Sequence, residues 1–121
     1  ILITGASSGI GQCTAIECSK LGARCVITGR NPERLQVTFN QLEGEGHMQI
    51  IADLSTQEGI DELVSRSPNI DGLVNNAGIS LVKPITFIKQ EDLQTIFQTN
   101  AFAPMLIVKA FVKKKKINSI H

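Results

Sequence analysis

The sequence has 121 residues, a formal net charge of +1 at pH 7, 42% hydrophobic residues and 19% charged residues. This length allows one domain at most, and the composition is that of a globular protein and excludes intrinsic disorder. The near-neutral charge gives no general attraction to nucleic acid or to a membrane surface, and no apolar run comes close to the roughly 20 residues that a transmembrane helix needs. Three Cys without a metal-binding or disulfide pattern predict free thiols in a reducing compartment, which favours a cytoplasmic protein without a metal site.

Two strand–helix units are predicted in the first part of the chain. An apolar strand is expected over residues 1–4 and a helix over residues 12–21, with a glycine-rich loop between them. A second strand, rich in β-branched residues, is expected over residues 23–28. The second helix is predicted to begin at Asn31, an N-cap residue that is followed by Pro at the first helical position.

Two further units follow. A third strand is predicted over residues 48–52, and the spacing of Ser55 and Glu58 predicts a capping box that begins the third helix. A fourth strand is expected over residues 70–74, and a long helix from about Gln90. The candidate inner positions of this long helix are Leu93, Ile96, Phe97, Phe102, Leu106 and Val108.

Strands and helices alternate along the whole chain. This pattern predicts an α/β protein with a parallel sheet between two layers of helices, a three-layer α/β/α arrangement. Right-handed crossovers favour a doubly wound sheet. In a Rossmann-type sheet, the form we expect, the strand order of these residues is 3-2-1-4 and a ligand crevice lies between strands one and four. The fourth strand is apolar on both faces, as central strands are, so strand five and the rest of the sheet are expected outside these residues. Residues 1–121 are therefore predicted to be a single, incomplete nucleotide-binding domain.

The loop at residues 4–11 has the sequence TGASSGIG and lies between the first strand and the first helix. Its glycines allow a sharp turn and a close approach to a pyrophosphate, and the helix N-terminus supplies free N–H groups and a positive dipole end. The alternative is a glycine-rich turn that binds nothing. The strand before the loop and the helix after it favour dinucleotide binding.

The T-G-x-x-x-G-x-G spacing of this loop resembles the short-chain dehydrogenase/reductase family. The resemblance continues at Asp53, after the third strand, at the N-N-A-G sequence of residues 75–78, and at Asn100 in the long helix. It implies hydride transfer between a nicotinamide cofactor and a ketone or secondary alcohol, as in 3-oxoacyl-carrier-protein reductases. It also implies a homodimer or homotetramer with the long helix at an interface, which the apolar residues Phe102, Ile107 and Phe111 fit.

The resemblance also implies roles for individual residues. Asp53 is expected to meet the adenine ring, although it could simply cap the following turn. Asn76 is expected at the nucleotide ribose, or it could only tie neighbouring strands together. Asn100 is the implied catalytic residue, because in the family the matching Asn holds a water of the proton relay through its backbone. The implied cofactor-binding set is Gly5, Ser7, Ser8, Gly9, Ile10, Gly11, Arg30, Asp53, Leu54, Asn76, Ala77 and Gly78.

The residues after the second strand favour NADP(H) over NAD. An acid at this position would bind the ribose hydroxyls of NAD and repel a 2′-phosphate, but Arg30 stands there and offers a fork that suits a phosphate. The alternative is that Arg30 is a solvated loop charge. Ser8 occupies the place of the family's other NADP marker, a basic residue.

The sequence contains no Tyr. In the family a Tyr is the general acid/base, with a Lys and a Ser beside it. Ser119 lies too early to match that Ser, and none of the lysines at residues 113–116 follows a Tyr, so these 121 residues alone are expected to be inactive. The alternative is an inactive nucleotide-binding or scaffolding fragment. The lysines are expected to be the solvated end of a helix, and RNA binding through them is disfavoured because no aromatic platform accompanies them.

Overall fold

The computed structural model describes residues 1–118. Within them four strands pair in parallel in the order β3-β2-β1-β4. The predicted strand order and the doubly wound α/β class are confirmed. The strands are β1 (Leu2–Thr4), β2 (Val26–Gly29), β3 (Met48–Ile51) and β4 (Leu73–Val74).

The helices alternate with these strands. Between α4 and α5 the helix continues as a π-helical segment, Gln98–Phe102, and a 3₁₀ turn at Ile85–Phe87 precedes α4. The helices are α1 (Gly9–Lys20), α2 (Pro32–Asn40), α3 (Gln57–Arg66), α4 (Gln90–Phe97) and α5 (Ala103–Lys113).

Two apolar cores lie on opposite faces of the sheet, because side chains alternate between the faces along each strand. Ile3 and Ile27 are fully buried on the face that packs against α1 and α2. Leu2 is buried on the other face, with residues of α3 and α5 such as Leu63 and Phe111. The sheet therefore lies between two helical layers, and the carboxyl ends of its strands meet at one edge.

The helix starts test the capping predictions. At α2 the prediction is confirmed, because the Asn31 side chain accepts a hydrogen bond of 2.9 Å from the Arg34 amide. At α3 the predicted cap is wrong by one residue. Thr56 Oγ1 accepts from the Gly59 amide at 3.0 Å, while the Ser55 hydroxyl donates to Asp53.

The fourth strand is shorter than predicted. Only Leu73–Val74 pairs with β1, whereas Ile70 forms an isolated parallel bridge with Ile117. The amide of Ile70 donates to the Lys116 carbonyl at 2.7 Å. Asp71 and Gly72 separate this bridge from the strand, because both residue types are unfavourable in strands.

The predicted inner face of the long helix is only partly correct, because Leu106 packs against the core but Leu93, Phe97 and Phe102 are exposed. Phe97 and Phe102 are 55% and 49% exposed, and the buried positions are instead spaced by four residues. The π-helical segment has a wider turn than an α-helix, so a 3.6-residue period cannot be carried through it. Pro104 lies just after the π-helical segment and has no N–H, so it cannot donate the hydrogen bond that the Asn100 carbonyl would accept in an α-helix. The buried positions are Thr99, Ala103, Ile107 and Phe111.

This finding also changes the expectation of a subunit interface. Ile107 and Phe111 are 1% and 0% exposed, because they pack into the core beneath α5. Of the three apolar residues that fit an interface by sequence, only Phe102 remains at the surface.

The continuous helical run Gln90–Lys113 has 24 residues and a mean hydropathy of 1.3 in its most apolar stretch, which is enough to cross a membrane by length and composition. The sequence-based expectation that no run approaches this length is therefore wrong. Its buried residues pack against the sheet and α3. A core helix of a globular protein passes the same test, so the run is weak evidence for a membrane span.

Candidate functional site

A cavity of about 860 Å³ opens at the carboxyl edge of the sheet. The loops that follow β1, β2, β3 and β4 all contribute to it, as expected for a crevice outside the ends of parallel strands. Gly11 and Asn100 are predicted site residues that do not line it. Eleven of the twelve predicted cofactor-binding residues do: Gly5, Ser7, Ser8, Gly9, Ile10, Arg30, Asp53, Leu54, Asn76, Ala77 and Gly78.

Two glycines bring the first loop against the chain that follows β4. Gly5 has a φ of +64°, and a Cβ there would lie 2.7 Å from the Ala77 Cα. A Cβ on Gly11 would overlap the Gly5 carbonyl oxygen and the Asn76 amide nitrogen. Side chains at either position would push the two loops apart, so both glycines allow the loops to meet, and Gly5 forms part of the floor of the cavity.

The N-terminus of α1 is open at this floor. Ser8 is the N-cap residue, but its side chain accepts no hydrogen bond from the helix, and the first turn of α1 holds no acid. Ser8, Gly9 and Ile10 all line the cavity. The first N–H groups of a helix have no partner within the helix, so this end offers donors and a positive dipole to an anion.

Thr4 joins β1 to the turn after β4. Its buried hydroxyl oxygen accepts from the amides of Asn76 and Ala77 at 3.0 and 2.9 Å. The Asn76 side chain in turn donates to the Gly5 carbonyl at 3.2 Å. The structural role proposed for Asn76 is therefore present, and its side chain also forms part of the cavity wall.

Asp53 follows β3 and lines the same cavity as the glycine loop. Its Oδ1 accepts from the Ser55 hydroxyl at 2.6 Å and from the Ser55 amide at 3.0 Å, so it does cap this turn. These two bonds hold the pKa of Asp53 below its ordinary value, and the nearby positive charge of Arg30 lowers it further. The carboxylate is therefore ionised at neutral pH and faces the cavity.

The cavity ends beyond β2, where Gly29 makes room for Ser7. A Cβ on Gly29 would lie 3.2 Å from the Ser7 hydroxyl oxygen, so the glycine allows Ser7 to lie over the strand end. Arg30 and Arg34 line this end. It is thus rich in hydrogen-bond donors.

Asn100 lies beside the cavity and holds the loop that leads away from it. Its Oδ1 accepts from the Ile79 amide and its Nδ2 donates to the Ile79 carbonyl, both at 2.8 Å. Both ends of the side-chain amide are therefore occupied by the backbone. Its implied role in a proton relay would have to use the backbone of the π-helical segment, and that role stays a prediction.

Eight residues that line the cavity were not predicted as site residues, among them Arg34, Ile79 and Thr99. Thr4, which supports the turn after β4, was not predicted either. Thr4 could have been found from its place at the start of the loop motif. The other residues could be recognised as part of the site only from the fold, which brings distant segments of the chain together. Ser119, weighed above as a catalytic residue, lies outside the described residues.

The residues present fit a dinucleotide. The glycine loop and the open N-terminus of α1 could hold a pyrophosphate, and the arginines after β2 could hold a further phosphate. All of these residues line one cavity, which is large enough for both groups. Fold and site together define a Rossmann-type nucleotide-binding protein.

Comparison with known proteins identifies the family. The family model described as short chain dehydrogenase matches residues 1–119, and the chain belongs to that family. It is 34% identical over 113 residues to a 3-oxoacyl-(acyl-carrier-protein) reductase of Rickettsia prowazekii, covering 93% of this chain and 46% of the relative. It is 36% identical over 105 residues to an NADP-dependent 3-hydroxy acid dehydrogenase of Salmonella typhi, covering 83% and 42%.

A solved structure extends this agreement. A metagenomic short-chain oxidoreductase in complex with NADP superimposes with a TM-score of 0.82 at 31% identity, covering 93% of this chain and 54% of that one. The chain spans about half the length of the curated relatives that it matches. Membership of the family and the Rossmann-type fold therefore hold for the residues described here.

Proposed function

We propose that the protein is an NADP(H)-dependent oxidoreductase that interconverts a ketone and a secondary alcohol, and that residues 1–121 form the cofactor-binding part of it. The observation that carries the proposal is one cavity lined by both the uncapped end of α1 and the arginines after β2. When bound, a nicotinamide cofactor would supply a hydride to the carbonyl carbon, and a proton delivered to the oxygen by an acid that is assigned to none of these residues would complete the alcohol. The Rickettsia and Salmonella relatives, a reductase and a dehydrogenase, support this reaction class.

The residues of this chain would bind and orient the cofactor. The first turn of α1 would hold the pyrophosphate, and the ionised Asp53 would lie at the adenine end with Leu54. The turn that Thr4 anchors, from Asn76 to Gly78, would line the second ribose. Ile79, fixed by Asn100, would border the nicotinamide end.

The preference for NADP(H) over NAD(H) rests on charge. No acid follows β2, and Arg30 lines the cavity there. A guanidinium suits the 2′-phosphate that distinguishes NADP(H), whereas a carboxylate at this place would repel it. The NADP in the superimposed metagenomic structure supports the same assignment.

A second candidate function is nucleotide binding without turnover. The sequence has no Tyr, so the acid–base step that the family resemblance implies is assigned to none of these residues. In this case the protein would bind NADP(H) and leave a ketone unchanged.

We also propose a cytoplasmic homodimer or homotetramer, with no metal, nucleic acid or membrane partner. Exposed apolar side chains on the long helix support self-association: Leu93 is 45%, Phe97 55% and Met105 62% exposed. Light scattering should give a multiple of the chain mass, and a monomer at all concentrations would contradict this assembly.

The test of the proposed function is direct binding. The purified protein is titrated with NADPH and with NADH, followed by nicotinamide fluorescence, for the natural sequence and for Arg30→Gln. We expect NADPH to bind at least about tenfold more tightly than NADH, since a charge-assisted hydrogen bond contributes roughly 1.5–3 kcal/mol. Arg30→Gln should remove most of this difference. Equal affinities in the natural protein would contradict the NADP(H) assignment, and binding of neither nucleotide would contradict the function.

A further inference from the structure

Thr38, in α2, connects the glycine loop with two helices. Its side chain is fully buried, and its hydroxyl donates a hydrogen bond of 2.8 Å to the Ala6 carbonyl in the glycine loop. The same oxygen accepts from the side-chain amide of Gln12, in α1, at 2.9 Å. One hydroxyl therefore joins the loop after β1 to α1 and to α2.

The Thr38 hydroxyl is directed out of its own helix. A threonine inside a helix often donates to the carbonyl four residues earlier. Here that carbonyl, of Arg34, is 3.5 Å from the hydroxyl oxygen, whereas the Ala6 carbonyl is 2.8 Å away. A hydroxyl has one proton, so the shorter contact receives it. Gln12 supports this direction, because its donor occupies the acceptor side of the oxygen.

The Ala6 backbone is held at both of its polar groups. Its amide donates to the Thr28 carbonyl of β2 at 3.0 Å, and its carbonyl accepts from Thr38. The Ala6 carbonyl and the Ser7 N–H belong to one planar trans peptide, in which they point in opposite directions. The bond from Thr38 therefore also fixes the direction of the Ser7 N–H, which points away from Thr38.

The Ser7 amide is a donor that the protein leaves free. Among the described residues neither a backbone nor a side-chain group accepts a hydrogen bond from it. Ser7 lines the cavity next to Ser8 and Gly9, at the open N-terminus of α1. Successive free amides in a turn form a concave site that suits an anion. The direction of the Ser7 N–H therefore decides whether this donor can act together with the first turn of α1.

We propose that Thr38 is a positioning residue of the cofactor site, which holds the Ala6–Ser7 peptide so that the Ser7 N–H binds the pyrophosphate. Gln12 holds the Thr38 hydroxyl in turn. The inference rests on the proposed function, because it concerns the same site. Neither Thr38 nor Gln12 lines the cavity, so both act through the loop. The pyrophosphate is common to NADPH and NADH, so loss of the Thr38 hydroxyl should weaken both equally.

The experiment measures dissociation constants for NADPH, NADH and adenosine 2′-phosphate, which has no pyrophosphate. The natural protein is compared with Thr38→Val, Thr38→Ser and the control Thr95→Val, whose exposed hydroxyl donates to a carbonyl of its own helix, α4. Thr38→Val should weaken NADPH and NADH by the same factor, about threefold to tenfold, and leave adenosine 2′-phosphate within about twofold. Thr38→Ser should restore the binding of both dinucleotides, and Thr95→Val should change none of the three affinities.

A second variant decides the question if Thr38→Val does not fold. Gln12→Met keeps the Thr38 hydroxyl and removes the donor that directs its proton toward Ala6. It should weaken both dinucleotides about twofold to threefold and leave adenosine 2′-phosphate unchanged. An unchanged affinity for both dinucleotides in Gln12→Met would then overturn the inference. Thermal denaturation curves show which variants are folded at the temperature of the titrations.

The third ligand separates positioning of the loop from general damage. A disturbance of α2 would also move Arg34 and weaken adenosine 2′-phosphate, so equal losses for all three ligands in Thr38→Val would overturn the inference. Unchanged dinucleotide binding in a folded Thr38→Val protein, or a Thr38→Ser protein that binds as weakly as Thr38→Val, would overturn it too, and the proposed function would stand. If the natural protein binds neither dinucleotide, the proposed function fails and the inference fails with it.

Discussion

The hydroxyl of Thr4 couples the glycine loop to the turn after β4. It is 1% exposed and accepts from the amides of Asn76 and Ala77. The Asn76 amide also donates to the Val74 carbonyl at 3.1 Å, so among the described residues only the Ala77 amide depends on Thr4 alone. A buried amide that loses its acceptor costs about 1–3 kcal/mol. One atom therefore contributes both to stability and to the shape of the cavity.

Replacing this hydroxyl by a methyl group tests its role. Thr4→Val should lower the free energy of unfolding by about 1–3 kcal/mol, because the shape is kept and the acceptor is lost. Chemical denaturation measures this change. Thr4→Ser keeps the oxygen and is the control, so it should stay within about 1 kcal/mol of the natural protein. A Thr4→Val protein as stable as the natural one would contradict this role of the hydroxyl.

Asp53 gives a pH-dependent prediction. The Ser55 hydroxyl and amide hold the pKa of Asp53 below its ordinary value, so the ionised form stabilises the folded state above that ordinary value. This contribution is lost as the pH falls through the lowered pKa. Ser55→Ala should raise the pKa of Asp53 toward its ordinary value, measured by NMR titration of the carboxyl carbon.

The stability of the same variant supplies the second readout. The destabilisation caused by Ser55→Ala should be largest at neutral pH and shrink as the carboxylate is protonated. Ser65→Ala, an exposed serine of α3, is the matched control and should show no such pH dependence. An unchanged Asp53 pKa in Ser55→Ala would contradict the assignment of the cause to Ser55.

At the scale of elements, packing decides where the helices lie. The fully buried Gly59 in α3 is close to the backbone of Asp53, and a Cβ there would overlap the Asp53 carbonyl oxygen. Glycine is normally the weaker residue inside a helix, by about 1 kcal/mol relative to Ala. Here its small size lets α3 approach the end of β3.

Gly59→Ala should therefore destabilise the protein, by about 1–3 kcal/mol, although helix propensity alone would stabilise it by about 1 kcal/mol. The measurement is the midpoint of thermal or urea denaturation. Glu58→Ala changes the neighbouring exposed residue in the same turn and should stay near neutral. A stabilised Gly59→Ala protein would show that α3 does not pack this closely.

Lys116 joins α5 to α3, contrary to the expectation that the lysine run is solvated. Its ammonium donates to the carbonyls of Val64, Ser65 and Ser67 at 2.8, 3.2 and 2.8 Å. These bonds satisfy carbonyl groups around the C-terminus of α3, which have no partners within that helix. Only part of the lysine run is therefore a free surface charge.

Lys116→Met should lower the free energy of unfolding by about 2 kcal/mol, since hydrogen bonds to charged groups contribute more than neutral ones. Urea denaturation measures the loss. Lys113→Met, at an exposed lysine that contacts no such carbonyls, is the matched control. If both variants lose the same stability, the effect comes from charge in general and not from the bonds at α3.

The strands and helices could be predicted from the sequence only in part. Periodicity and turn residues predicted four strands, their order and the Asn31 cap, because these depend on local patterns and on the handedness of crossovers. The inner face of the long helix could not be predicted through the π-helical segment. The cap at Thr56 was missed because both Ser55 and Thr56 are residue types that cap helices. In the structure the Ser55 hydroxyl donates to the Asp53 carboxylate, and Thr56 accepts from the helix.

For the whole molecule, the candidate site depends on contacts between distant segments. The loop motif predicted the location of the cavity, because the Rossmann-type fold places this loop at the carboxyl edge of the sheet. It could not predict that Asn100 holds Ile79, 21 residues away, or that Thr4 holds Ala77, 73 residues away. Arg34 was missed for the same reason, because an arginine in the first turn of a helix is normally solvated.

The proposed function requires that the cavity at the carboxyl edge of the sheet bind NADP(H) along its length. The most direct measurement is a map of amide chemical shifts during titration of the isotope-labelled protein with NADPH. We expect the largest changes at the start of α1, after β2, at Asp53 and in the turn at Asn76, with small changes on the α3 surface. Changes that cluster elsewhere, or none at saturating nucleotide, would contradict this account.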